Sequence, residues 1–130
     1  MGQQQLLLLV LSALIVGAGV VVGINMFGEN AAQANQDAVT QDCLMLATRA
    51  SAYYRRPAAM GGGGRSFSGI ALADLNYESP NQNGSYTISG SSGTCTVTGT
   101  GTEDPDGDGG FLAVTVAIDS VGAVTTSVNP

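Results

Sequence analysis

The first part of the chain is a continuous apolar run rather than an alternating or amphipathic pattern. No charged side chain occurs before Glu29, and residues 6–27 are almost entirely apolar. A helix rises about 1.5 Å per residue, so this run reaches roughly 30 Å, the hydrocarbon thickness of a bilayer. The pattern predicts an apolar N-terminal helix over residues 1–27, which serves as an assembly or membrane segment.

Beyond this run, apolar residues recur at intervals of four and three, which places them on one face of a helix. They are Val39, Cys43, Leu46, Ala50 and Tyr53. No Pro or Gly interrupts the chain between Glu29 and Arg56. Pro57 and the glycines at 61–64 then end the pattern, since neither residue type favours a helix. The sequence therefore predicts an amphipathic continuation of the helix over residues 28–58.

A Gly-rich connector over residues 59–68 separates the helical pattern from a region of period two, the spacing of half-buried strands. The alternating segments are residues 86–88, 94–98, 112–118 and 123–128. Residues 70–75 fit a short helix or an irregular segment equally well. The predicted fold class is α+β, in which a long N-terminal helix packs on a small antiparallel β head, residues 69–130.

Composition narrows the range of functions. The formal net charge is -6, and the only basic residues are four arginines. Nucleic-acid binding depends on clustered Lys and Arg that neutralise phosphates, so no nucleic-acid partner is predicted for the head. The chain has no His, and it shows no nucleophile–base set, phosphate loop or carboxylate pair at an enzymatic spacing. An enzymatic function is therefore not predicted.

The two cysteines, Cys43 and Cys95, are too few for a zinc site in a chain without histidine. Cys43 lies on the apolar stripe of the helix, and Cys95 shares a strand face with Val97. If the sheet packs on the stripe, the two thiols meet at the helix–sheet interface. We therefore expect a disulfide between them, in keeping with an oxidising compartment outside the cytoplasm. The alternative is two unrelated buried thiols.

An acidic segment, residues 103–110, contains the pattern Asp-x-Asp-x-Asp-Gly, with which many calcium loops begin. Alternating carboxylates can converge on a hard cation, so Asp104, Asp106 and Asp108 are the candidate calcium ligands. An EF-hand would need a Glu at loop position twelve, where Thr115 stands. A solvated acidic turn between two strands is the simpler interpretation, and no other cofactor is predicted.

The apolar run has three possible explanations: a cleaved signal peptide, a membrane anchor or an assembly helix. A signal peptide usually has a basic n-region and an apolar stretch of roughly 7–15 residues, whereas this run is longer and starts without a basic side chain. An Ala-x-Ala cleavage pattern does occur at residues 32–34. Gly17, Gly19 and Gly23 favour the third explanation, since small residues let apolar helices approach closely.

The sequence resembles a type IV pilin or pilin-like subunit. The resemblance is carried by the uncharged start from Gln3 to Phe27, its amphipathic continuation to Arg56, and a small sheet with Cys43 and Cys95 placed to tie it to the helix. In that family a leader ending in Gly is removed and a Glu stands fifth in the mature chain.

This chain departs from the family at that position. If Gly2 ended a short leader, Leu7 would be fifth, and if Met1 were the first mature residue, Gln5 would be fifth. The Pro that kinks the helix in the family is also absent from the run, where Gly17, Gly19 and Gly23 would loosen the helix instead.

The resemblance implies a structural subunit of an extracellular filament on the cell surface, held in the inner membrane before assembly. Its partners would be identical subunits in a helical filament whose core is built from the N-terminal helices. The predicted assembly residues are Leu7, Leu11, Ala13, Leu14, Gly17, Gly19, Val21 and Gly23. Two alternatives remain: a membrane-anchored pseudopilin or minor pilin of a secretion or DNA-uptake system, and an anchored calcium-dependent surface domain.

Overall fold

The computed structural model describes residues 2–130 and confirms the predicted α+β fold. Helix α1 spans Gly2–Arg55, close to the end that Pro57 predicted. The chain divides after Ala31 into two units. We call the described part of the first, residues 2–31, the N-terminal unit, and residues 32–130 the C-terminal unit.

The helix end is capped by the Gly-rich connector. Backbone N–H groups of Gly63, Gly64 and Arg65 donate to the carbonyls of Tyr53, Arg56 and Tyr54 at 2.9, 3.0 and 2.8 Å. The close return needs glycine, because a Cβ on Gly63 would lie only 2.0 Å from a backbone carbonyl oxygen. These bonds satisfy carbonyls that a helix terminus otherwise leaves without partners.

Four strands follow as an antiparallel meander in the order β1-β2-β3-β4. Their bounds are Gly84–Gly90 for β1, Thr94–Gly101 for β2, Ala113–Asp119 for β3 and Val124–Asn129 for β4. Each lies at or within a few residues of a segment in which the sequence alternates. The undecided segment contains a 3₁₀ turn, Leu72–Leu75, and a second such turn, Ala58–Met60, follows α1.

The core lies between α1 and one face of the sheet. All five residues of the predicted helical stripe are buried, as are alternate residues of β2 and β3. The sheet side of the core consists of Tyr86, Cys95, Val97, Val114, Val116 and Ile118. The segment between α1 and β1 adds Phe67, Ile70 and Leu75. Burial of this apolar surface is the main source of stability available to a unit of this size.

The helix approaches the sheet most closely at Gly99. A Cβ at that position would lie 2.7 Å from both Cys43 Sγ and Val39 Cγ1. Two residues further along β2, a Cβ on Gly101 would lie 2.2 Å from Asn35 Oδ1. The strand therefore needs glycine at both positions to accommodate the helix.

Candidate functional site

The apolar segment, residues 6–27 of α1, is the largest exposed apolar surface in the described chain. None of its most hydrophobic 18-residue window, with a mean hydropathy of 2.8, is buried. Leu7, Leu11, Leu14 and Val21 expose 69%, 53%, 66% and 59% of their surface. By length and composition this helix could cross a membrane. The predicted assembly residues therefore lie on one helix, and the large side chains among them are available to other molecules.

The glycines of the apolar segment have no structural role within the chain. A Cβ built on Gly17, Gly19 or Gly23 would meet nothing within 4 Å. Each costs a helix about 0.5–1 kcal/mol relative to Ala. Their presence is consistent with close contacts to another helix, where small residues let two backbones approach.

Three polar residues at intervals of seven attach the second part of α1, residues 32–55, to the rest of the C-terminal unit. Asn35 donates through Nδ2 to the carbonyl of Asn83 at 2.8 Å and accepts from the backbone N–H of Thr102 at 2.9 Å. Arg49 donates through Nη1 to the carbonyls of Leu75 and Asn76 at 3.0 and 3.1 Å. The third, Asp42, lies between them.

Asp42 collects three hydrogen bonds on one carboxylate oxygen. The donors are Tyr86 Oη at 2.6 Å, Asn83 Nδ2 at 2.8 Å and Asn81 Nδ2 at 3.2 Å. Burial by itself would raise the pKa of this carboxyl, but the hydrogen bonds, that of Tyr86 foremost, outweigh it and hold the pKa below its ordinary 3.8. The ionised carboxylate thus ties the helix to β1 and to the loop before it.

The sequence pattern did not predict the role of these three polar residues. The signal was present, since Asn35, Asp42 and Arg49 flank the apolar stripe at a spacing of two helical turns. The type of partner was not encoded locally. Asn35 and Arg49 bind backbone groups, which carry no pattern, and Asp42 binds side chains that lie 39 to 44 positions away.

The predicted disulfide is wrong: Cys43 and Cys95 are both buried free thiols. Cys43 Sγ lies beside Gly99 and 4.0 Å from the carbonyl oxygen of Val114. Gly99 is four residues from Cys95 on β2, or about 13 Å at the strand rise, whereas a disulfide needs Cα atoms within about 7 Å. The sequence pattern predicted the buried face for each thiol correctly. It did not predict where along the helix and the strand the two thiols lie relative to each other.

Burial makes both thiols poor nucleophiles. It raises the pKa of Cys43 to about 11, with the neighbouring Asp42 charge adding to the effect, and raises that of Cys95 to about 11. A thiol must ionise to react, so both are suited to packing rather than chemistry.

The acidic segment forms an exposed loop between β2 and β3. Asp104, Asp106 and Asp108 can each place one carboxylate oxygen within 4.8 Å of the other two. That spacing fits oxygens on opposite sides of a calcium ion, whose ligands lie at about 2.3–2.6 Å. Backbone N–H groups of Gly107 and Gly109 donate to Asp104 at 3.0 and 2.9 Å, which shapes the loop without an ion.

The pKa values of two of the loop carboxylates, Asp104 and Asp106, shift in opposite directions. The backbone N–H of Gly109 is the main cause that lowers the pKa of Asp104. At Asp106 the backbone N–H of Asp108 acts in the same direction, but the hydrogen bond with Asp104 and the charge of Asp108 help to raise the pKa overall. Three carboxylates do not make the six to eight oxygen ligands that calcium takes, so the site stays a prediction.

Compared with family models, with curated proteins and with solved structures, the chain shows no significant match. The resemblance to type IV pilins therefore remains a hypothesis that depends on the sequence pattern.

Proposed function

We propose that this chain is the structural subunit of an extracellular filament similar to a type IV pilus. Neighbouring copies would pack their apolar segments together after leaving the membrane. One observation carries the proposal: residues 6–27 form an uncharged helix whose large apolar side chains are exposed. Monomeric proteins rarely leave so large an apolar patch in water, so the segment needs a bilayer or other apolar helices around it.

The position of the Ala-x-Ala pattern favours retention of the segment. Residues 32–34 lie within α1, and Ala32 is a buried part of the C-terminal unit. Cleavage after Ala34 would remove that residue and leave Asn35, which binds Asn83 and Thr102, at the new chain end. A signal peptide is normally separate from the mature fold, so this arrangement supports an anchor or assembly helix.

A retained helix also fits a pseudopilin or minor pilin, which would share the same architecture at low abundance. The close approach of the three loop carboxylates favours a second candidate, the anchored calcium-dependent surface domain. Recovery of abundant fibres sheared from the cell surface would favour the filament subunit over both.

The proposal is tested by placing a charge in the apolar segment. Val21→Asp puts an unpaired carboxylate among packed apolar helices, at a cost of several kcal/mol, and should abolish fibres. Val121→Asp is the matched control, because Val121 is 83% exposed in a turn of the C-terminal unit. Electron microscopy and sedimentation of the full chain after detergent removal measure the result. Normal fibres from Val21→Asp would contradict the proposal, as would native protein that begins at Asn35.

A further inference from the structure

All four basic residues of the chain lie at one end of the C-terminal unit. Arg55 and Arg56 are exposed at the last turn of α1, and Arg49 precedes them by less than two turns. Arg65 joins them because its backbone N–H donates to the carbonyl of Tyr54 at 2.8 Å. We call these four residues the arginine pole.

The arginine pole is partly preorganised. Arg49 and Arg56 line a cleft of about 330 Å³, and two hydrogen bonds to carbonyls hold the Arg49 guanidinium in place. Asp74 lines the same cleft, and Asp119 lies in a second depression beside Arg55. The four arginines exceed these two carboxylates, so the pole keeps an excess of positive charge.

The opposite end carries the acidic loop, residues 103–110. Its four carboxylates belong to Glu103, Asp104, Asp106 and Asp108, and no basic residue accompanies them. The hydrogen bond between Thr102 and Asn35 fixes the base of the loop beside the start of the packed helix. The crowding that raises the pKa of Asp106 means that a cationic partner would relieve repulsion within the loop.

The two charged regions are too far apart to neutralise each other within one copy. From Asn35 to Arg55 the helix rises about 30 Å, which exceeds the screening length of about 8 Å at physiological salt. Each region is therefore available to an external charge of opposite sign.

We propose that the arginine pole of one copy docks on the acidic loop of the next copy. Charge complementarity identifies the partner, since each copy presents both halves of the contact. The contact uses two different surfaces, so copies that all point the same way can repeat it along an open array, whereas an antiparallel pair would close it as a two-fold dimer. The inference rests on the proposed function only in that a filament would bring the copies together. It adds a salt-sensitive contact to the apolar packing of the helices.

Cross-linking tests the contact without requiring fibres. The full chain is kept in detergent micelles, which leave copies free to shift along the helix axis relative to one another, as two variants, Ala59→Cys at the arginine pole and Pro105→Cys in the acidic loop, both at exposed positions. A mixture should form intermolecular disulfides about threefold faster than either variant alone, which corresponds to about 0.65 kcal/mol and lies within the range of exposed ion pairs. The native thiols are buried and do not take part in the cross-linking. A chelator keeps divalent cations from neutralising the loop.

Salt and charge reversal separate this contact from apolar association. The excess of mixed cross-links should vanish between about 0.05 and 0.5 M salt, as the screening length shortens. In the same background, reversal by Arg56→Glu should remove the excess, as should Asp106→Arg, and both together should restore it. Glu78→Arg, at an exposed position in the loop before β1, is the matched control.

Equal rates for mixed and single variants would overturn the inference, and so would a salt-independent excess or a double reversal that restores nothing. Fibres without pole-to-loop cross-links would leave the filament proposal intact and remove only this inference. Cross-links without fibres would retain the contact and remove the filament.

Discussion

Residues 6–27 and 32–55 belong to the same helix, yet their surroundings differ completely. In the apolar segment every large hydrophobic side chain is exposed, including Phe27 at 77%. In the second part, apolar residues are concentrated on a stripe that the sheet covers, and Val39, Cys43 and Leu46 are fully buried. The helix tolerates Gly17, Gly19 and Gly23 in the first part, and no Pro interrupts either part. The distribution of apolar residues around the helix determined whether that part of the helix packs against the rest of its own chain.

The glycines show the same contrast. Gly17 and Gly19 have open space where a Cβ would be, whereas a Cβ on Gly99 would meet the helix at 2.7 Å. Gly99 therefore has an intramolecular role, while the glycines of the apolar segment have none within the chain. We expect substitutions in the two regions to affect different properties: assembly in the first and folding in the second.

The largest contrast should come from the same substitution in both parts of the helix. Val39→Asp buries an unpaired carboxylate in the core and should unfold the C-terminal unit, at a cost of several kcal/mol. Val21→Asp should leave the melting temperature of the C-terminal unit unchanged, because Val21 is exposed. Circular dichroism melts of both variants in detergent measure this. Equal destabilisation would mean that the two parts of α1 do not differ as described.

A smaller effect is expected from the close approach at β2. Gly99→Ala forces Cys43 and Val39 to shift and should reduce the free energy of unfolding by about 1–3 kcal/mol. Gly93→Ala is the matched control, since its Cβ would meet nothing within 4 Å. Denaturant unfolding compares the pair. If Gly99→Ala were as stable as the control, the helix would not press on the strand as the structure shows.

Removal of the carboxylate at Asp42 should cost about 1–2 kcal/mol, because Tyr86, Asn83 and Asn81 lose a charged acceptor. Asp37→Ala is the control, since this exposed carboxylate accepts only one long bond, 3.4 Å from Gln33. The folded pKa of Asp42 lies below the unfolded value, so its contribution is present above pH 3.8 and is lost as the pH falls through the folded pKa. The difference between wild type and Asp42→Ala should therefore narrow in acid, and a constant difference would contradict this role.

The smallest expected effect concerns calcium. If the acidic loop binds calcium with the affinity of extracellular sites, a concentration of about 1 mM should add roughly 0.4–1.4 kcal/mol to the free energy of unfolding. Asp106→Ala should abolish the gain, and Asp37→Ala should retain it. Melts with calcium, magnesium or chelator provide the measurement. Identical melts in all three would leave the loop as a solvated acidic turn.

Much of the fold could be predicted from the sequence because its signals are local. The helix end followed from Pro57 and the glycines after it, and the buried stripe followed from spacings of four and three. The strand faces followed from alternation, which correctly placed Cys95 and Val97 inside. The apolar segment is the clearest part of the candidate site, and the absence of charge was enough to predict it.

The remaining features depended on contacts between distant residues. Asn35, Asp42 and Arg49 were visible as polar residues, but their partners lie 26 to 67 positions away. The need for glycine at Gly99 arises from the helix that crosses it, and nothing in β2 itself indicates that contact. Such pairings depend on how two elements meet in space.

The sequence by itself determined which residues are helical, which are extended and which face of each element is apolar. Only the tertiary structure decided where along the strand each helical residue lies, and this separated Cys43 from Cys95. The physical reason is that periodicity specifies direction around an element and leaves the offset along it open. A helix rises about 1.5 Å per residue and a strand about 3.3 Å, so their relative position is set by packing at contacts such as Gly99 with Cys43.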